Sequence, residues 1–341
     1  MFLCHNQETA IMTATAAAAK QIPIVCPGHT RPLAELQYVS VQEDGQDRTF
    51  LLSACHDRMP MMRDASTGDW IGTWAGHKGA VWSCQVDATC SLAATASGDF
   101  SAKVWDAITG NSLMDLPHKH IVKTCVFSPN SRRLATGGKE SIVRVYELTE
   151  LLLNKDASKT PAVEIKQQSP VTKLAFLSDT LLLAACQNGK IYLWDTAANG
   201  AATLKHTFDT GATAEIRDME VRTINNHQQT ILTVAAGDTV FFFDTATHVL
   251  LHQYKMPIHF KEEGGATLHP SGHTFVAGGS DLWVRVFDFA TGRELECHKG
   301  HHGPIRCVRY SPDGKSYASG SEDGTIRLWK TDPEAEGEAK Q

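Results

Sequence analysis

Two stretches of the chain place an imidazole, a hydroxyl, a carboxylate and an indole at matching intervals. They are His77, Thr95, Asp99 and Trp105, and again His301, Ser319, Asp323 and Trp329. A Ser-His-Asp set can build a hydrolytic nucleophile, because the imidazole takes the hydroxyl proton while the carboxylate orients the ring. Metal ligands are present in number, with sixteen histidines and nine cysteines. None falls at H-E-x-x-H or C-x-x-C spacing, and most cysteines sit inside apolar, strand-like runs. No P-loop, G-x-G-x-x-G or nucleophile elbow occurs. The sequence therefore calls for no metal and no cofactor, and the hydrolase reading has no further motif behind it.

These residues recur because the segments that carry them recur. Gly-His pairs at 28–29, 76–77 and 300–301 each lead through a strand-like run to a tight turn. Aligned on that turn, Asp57, Asp99, Glu140, Asn188, Gly237, Asp281 and Asp323 follow one another at intervals of 42, 41, 48, 49, 44 and 42 residues. Six positions beyond each lies a strand end: Arg63, Trp105, Tyr146, Trp194, Phe243, Phe287 and Trp329. Seven units result, a period that marks a repeat architecture. β-Branched and aromatic runs alternate with turn clusters such as SPDG, SPNS and HPSG, so the units are built of strands. The length of 341 residues suggests about two domains. Units that close on each other make one body instead.

The pattern resembles the WD40 repeat, and the resemblance covers residues 21–330. It implies an all-β fold, a seven-bladed WD40 β-propeller with four antiparallel strands per blade. It also implies a different use for the tetrads. The carboxylate accepts from the histidine, the histidine from the hydroxyl, and the hydroxyl from the indole N–H, as a structural chain between strands. No catalytic residue is then expected. The seventh repeat stops at its third strand, so residues 21–26 are expected to close blade seven. Residues 1–20 form an Ala-rich leader and 331–341 an acidic tail, both expected to be disordered. The tetrad decays elsewhere: Arg63 replaces the indole in blade one, and blades four to six keep little of it. Those blades are expected to be weaker or irregular.

Composition agrees with a folded body: apolar residues make up 42% and the net charge is −6. No apolar run approaches the roughly 18 residues that cross a bilayer. The negative charge sits largely at the end, where the last eleven residues carry −3. Such a body lacks the positive field of a non-specific nucleic-acid coat. Blade three is the exception. Between His118 and Tyr146 it holds Lys119, Lys123, Arg132, Arg133, Lys139 and Arg144 against Glu140 alone, net +5. Lys119, His120 and Lys139 are the candidate partner-binding residues, because in propellers of this kind both their places open onto the top rim.

Particular strings narrow the resemblance. TGDWIGTWAGHKGAVW at 67–82, SAKVWDAITG at 101–110, HKHIVKT at 118–124 and the last repeat at 300–329 are similar to the serine/threonine kinase receptor-associated (unr-interacting) family. That family implies a non-catalytic adaptor. It is associated with the survival motor neuron complex, which assembles Sm cores on spliceosomal RNAs, and with the RNA-binding protein unr. The expected partners are Sm-like and Gemin subunits and an unr-type protein, with RNA contacted indirectly and no membrane insertion. The expected chain is a monomer within a larger complex, in cytoplasm and nucleus. Two other adaptor roles stay open: transforming-growth-factor-β receptor signalling, and the propeller subunit of translation initiation factor three.

Overall fold

The computed structural model describes residues 21–331, except 44, 154–159, 198–200, 212–213, 225–227 and 261–263. Residues 1–20, and the tail apart from Thr331, lie outside the described residues. Within them, seven antiparallel sheets follow one another along the chain. Their innermost strands are Leu33–Glu43, Val81–Val86, Val122–Phe127, Val171–Phe176, Ile216–Ile224, Gly265–Leu268 and Ile305–Tyr310. Each touches the innermost strand of the next sheet, and the last touches the first. The chain is a closed seven-bladed β-propeller.

Each blade is covered by a neighbour on both faces, so strands with two buried faces carry nearly unbroken apolar runs rather than alternation. Leu181–Cys186, reading LLLAAC, is buried along all but its first residue. One innermost-strand position has no room for a side chain at all. At Gly265 a Cβ would collide with the Asp218 carboxylate of the preceding blade.

The strand that completes blade seven comes from the other end of the chain. Ile24–Cys26 pairs antiparallel with Ile326–Lys330, Ile24 opposite Leu328 and Cys26 opposite Ile326. Beyond the ladder, the Gln21 amide donates to the Lys330 carbonyl (2.8 Å) and accepts from the Lys330 N–H (3.0 Å). The pairing covers an edge that would otherwise stand open to another chain.

Blades four and six are regular four-stranded sheets, contrary to the irregularity their lost tetrads suggest. The departure is in blade five. One continuous strand, Gln229–Asp244, pairs through its first half with Ile216–Ile224 and through its second with Leu250–Phe260. It folds back at Gly237, whose φ of 64° lies in the left-handed region that glycine tolerates. The Thr245 amide then reaches the Thr230 carbonyl (3.0 Å), the return contact that the other blades make after their third strand. Blade five thus keeps the usual path without a separate turn. A six-residue helix, Leu148–Leu153, follows the third strand of blade three.

Candidate functional site

In blade seven, His301 Nε2 lies 2.8 Å from Ser319 Oγ, and Trp329 donates its indole N–H to the same oxygen at 2.8 Å. His301 Nδ1 stands 3.2 Å from Asp323 and 3.1 Å from the Thr325 hydroxyl. Blade two repeats the chain with shorter contacts: His77 to Thr95 at 2.6 Å, His77 to Asp99 at 2.8 Å, and Trp105 to Thr95 at 2.8 Å. Each carboxylate also holds the loop that enters its own blade, accepting from the amide of Lys78 (2.9 Å) or His302 (2.8 Å). All eight residues come together as two tetrads. Each couples the loop entering a blade to the turn and third strand within it.

The geometry also decides against a hydrolytic nucleophile in these two tetrads. Ser319 and Thr95 are 0% exposed, and each oxygen already has an indole N–H and an imidazole as partners. A substrate carbonyl has no approach to either. Burial would raise the Asp99 and Asp323 carboxyls. The donors around them outweigh it, led by Ser101 at Asp99 and by the His302 amide at Asp323, and hold both at about 2. Burial pushes His301 down to about 4. Neutral imidazole beside carboxylate is the state that satisfies the chain.

Blade one keeps His29, Ser53 and Asp57 in the same arrangement, with both histidine contacts at 2.8 Å. Arg63 takes the place of the indole. It is buried and donates to the carbonyls of Gly68 (3.0 Å) and Pro27, tying the blade to the closing segment. Cys55 packs beside this tetrad, so that His29, Cys55 and Asp57 offer ligand atoms within 4.8 Å of one another. The spacing in sequence shows no such cluster. Its atoms are already engaged: the Cys55 thiol donates to the carbonyls of Arg31 (3.1 Å) and Pro32 (3.3 Å), and burial pushes it up to about 12. That is the chemistry of a core thiol rather than of a metal-binding thiolate.

Blade three departs further. His118 reaches Thr136 at 3.0 Å, but its Nδ1 faces the Leu116 carbonyl, not Glu140. Glu140 instead accepts from the amides of Lys119 and His120 and pairs with Arg144 at 2.6 Å. The backbones of Lys119, His120 and Lys139 are thus held at one turn, the first two residues exposed and Lys139 half-buried. The net +5 read from the interval is corrected by its surroundings. Arg144 also pairs with Glu164 (2.9 Å), and Arg133 pairs with Glu147, acids of the same blade that lie just beyond the interval 118–146.

The axis holds a group the sequence does not announce. Lys173 of blade four crosses the channel to Glu35 of blade one (2.6 Å), and Arg309 of blade seven grips Asp218 of blade five through two bonds of 2.6 Å. Burial would lower Lys173, yet the carboxylates of Glu35 and Asp218 hold it above its ordinary value. Burial would raise Asp218, and Arg309 foremost holds it below. This layer separates a recess at the top mouth from a chamber of about 310 Å³ below, with Lys173 lining both. The available signal was a charged residue within four of the seven innermost strands, in LAEL, VTKL, IRDM and CVRY.

Fold and tetrads together define a WD-repeat propeller, a protein-docking scaffold. The family model described as WD domain, G-beta repeat matches residues 68–106, 110–147, 160–195 and 292–330. The chain is 40% identical to the serine-threonine kinase receptor-associated protein of Dictyostelium discoideum over 311 residues, covering 90% of this chain and 98% of that one. Against the Homo sapiens protein of the same name it is 39% identical, with 92% and 84% covered. Eukaryotic translation initiation factor 3 subunit I of Drosophila willistoni is more distant, 29% identical over 89% of this chain and 96% of that protein. The chain belongs to the serine-threonine kinase receptor-associated protein family. Among the described residues, no helix is long and apolar enough to cross a membrane.

Proposed function

We propose that this chain is a non-catalytic scaffold that holds subunits of an RNA–protein assembly machine together. Specifically, it would serve in the survival motor neuron complex during Sm-core assembly, in cytoplasm and nucleus, as one copy within a larger particle. Its contacts would be with Sm-like, Gemin and unr-type proteins, and RNA would be held by those partners. The observation that carries the scaffold reading is the burial and saturation of every hydroxyl in a triad-like set. The family resemblance supports the choice of machine. A receptor-pathway adaptor is the second reading, favoured by the name that the relatives at about 40% identity carry. The initiation-factor reading rests on the relatives at 29%.

The docking edge proposed is the rim of blade three at Lys119, His120 and Lys139. Affinity purification with mass spectrometry separates the readings: Sm-like and Gemin proteins, receptor and Smad proteins, or initiation-factor subunits. Reversing Lys119 and Lys139 to Glu should cut recovery several-fold and flatten its salt dependence, whereas Arg132→Glu, on the opposite face, should do less. Undiminished recovery from the double reversal at both low and high salt would remove blade three as the docking edge.

A further inference from the structure

The outermost strands form the circumference of the ring, and each leaves one side without a strand partner. Folded proteins guard such edges with charge or proline, and six of the seven blades do so. Charge lies within SLMDLP, VEIK, TLKHTFD, LLHQYKMPIHF and ELECHK, while Pro23 and Pro27 bracket Ile24–Cys26. The exception is Trp70–Thr73 of blade one, reading WIGT. Here Trp70 is 60% exposed and Ile71 44%. The Trp70 indole N–H donates to the Thr73 hydroxyl at 3.0 Å, which lays the ring along its own strand.

Beside this edge a groove of about 140 Å³ runs between blades one and two. Met62, Ile71 and Trp74 line one side and the blade-two turn at 107–110 the other, where Ile108 is 85% exposed. An apolar space of about 150 Å³ takes a benzene ring, so the groove has room for one large aliphatic side chain. Acids flank it. Asp69 precedes the strand and Asp106 begins the opposite turn, and neither has an ion-pair partner among the described residues. The outer two strands of these blades carry two cations: Arg63 is buried, and Lys103 pairs with Asp115 at 2.5 Å.

We propose that this edge receives an extended segment of a partner protein as an added strand, with one aliphatic side chain in the groove and lysine or arginine on either side of it. An unguarded edge supplies main-chain hydrogen bonds to such a segment, and the adjoining pocket reads its side chain. The uncompensated acids select basic flanks. A second copy of the chain would bring the same acids and, in WIGT, no cation to meet them. The contact lies on the circumference, apart from the blade-three rim. It goes beyond the scaffold reading and holds whichever machine the chain serves.

The test uses the full chain and the fluorescein-labelled peptide GSTKLKTSG, followed by anisotropy. Saturable binding is expected, weakened about tenfold or more by Ala in place of the peptide Leu or by Ile71→Lys, since one buried aliphatic contact is lost. Glu in place of both peptide lysines, or Asp69→Lys, should weaken it several-fold. Unchanged melting of the two variants shows that they fold. Independently of any variant, amide hydrogen exchange at 70–73 in the wild-type chain should slow when the peptide is bound, as an added strand requires. Absence of binding at millimolar peptide overturns the proposal, as does equal binding of the Leu and Ala peptides or of the Lys and Glu peptides. Unchanged exchange at 70–73 at saturation also overturns it. A dimer of the free chain that Ile71→Lys dissolves would give the edge to a second copy. Binding that appears only after residues 1–20 are deleted would give it to the chain's own leader, and either result ends the proposal.

Discussion

Removing Arg309 gives a direct measure of what the axial layer contributes. In Arg309→Met the Asp218 carboxylate loses both 2.6 Å bonds while staying buried. Lys173 cannot replace them, because its ammonium is engaged with Glu35 at 2.6 Å. Breaking a buried pair from one side typically costs about 3–5 kcal/mol, since the remaining charge is left uncompensated. Unfolding entropy of about 2.1 cal/mol/K per residue gives about 0.65 kcal/mol/K for some 310 folded residues, so the melting temperature should fall by about 5–8 °C. Asp218→Asn/Arg309→Met removes both charges. It should cost at least about 1 kcal/mol less than the two single changes added together. Thermal unfolding of the four proteins, followed by tryptophan fluorescence, provides the cycle. A single variant that melts within 1 °C of wild type, or strict additivity in the double, would refute the layer as a cooperative brace.

Two further outcomes follow from the closure and the buried imidazoles. Deleting residues 1–26 removes the partner of Ile326–Lys330 and should lower the melting temperature or cause aggregation, while deleting 332–341 should do neither; equal melting of both truncations sinks the closing-strand role. Acid should destabilise the propeller before its carboxylates titrate. His301, ordinarily near 6.5, is held at about 4 when folded, and burial also lowers His77 and His118. Below pH 6.5 the unfolded chain therefore binds more protons than the folded one. Stability is full above that pH and is lost as pH falls toward 4, with His301 alone accounting for about 3 kcal/mol at the limit. Asp99 and Asp323, held at about 2 against 3.8, add a second loss below pH 4. A melting temperature that stays flat between pH 7.5 and 4.5 would contradict this account.

The sequence by itself determined the number of blades, their boundaries and the two complete tetrads. Each tetrad closes within one repeat: His301 meets Ser319 across 18 residues and Asp323 across 22, distances fixed by the hairpin register of a single blade. Period and residue type therefore sufficed. What only the tertiary structure decided is which strand neighbours and which other blades supply a side chain's partners. Arg63 looks like a lost indole until Gly68 and Pro27 supply its acceptors. The basic sum of blade three looks large until Glu147 and Glu164 fold against it. The axial layer joins Glu35 to Lys173 across 138 positions and Asp218 to Arg309 across 91. No local periodicity encodes such pairs. They exist only because closure of the ring brings the innermost strands around one narrow axis, where a long cation on one blade can reach a carboxylate on another.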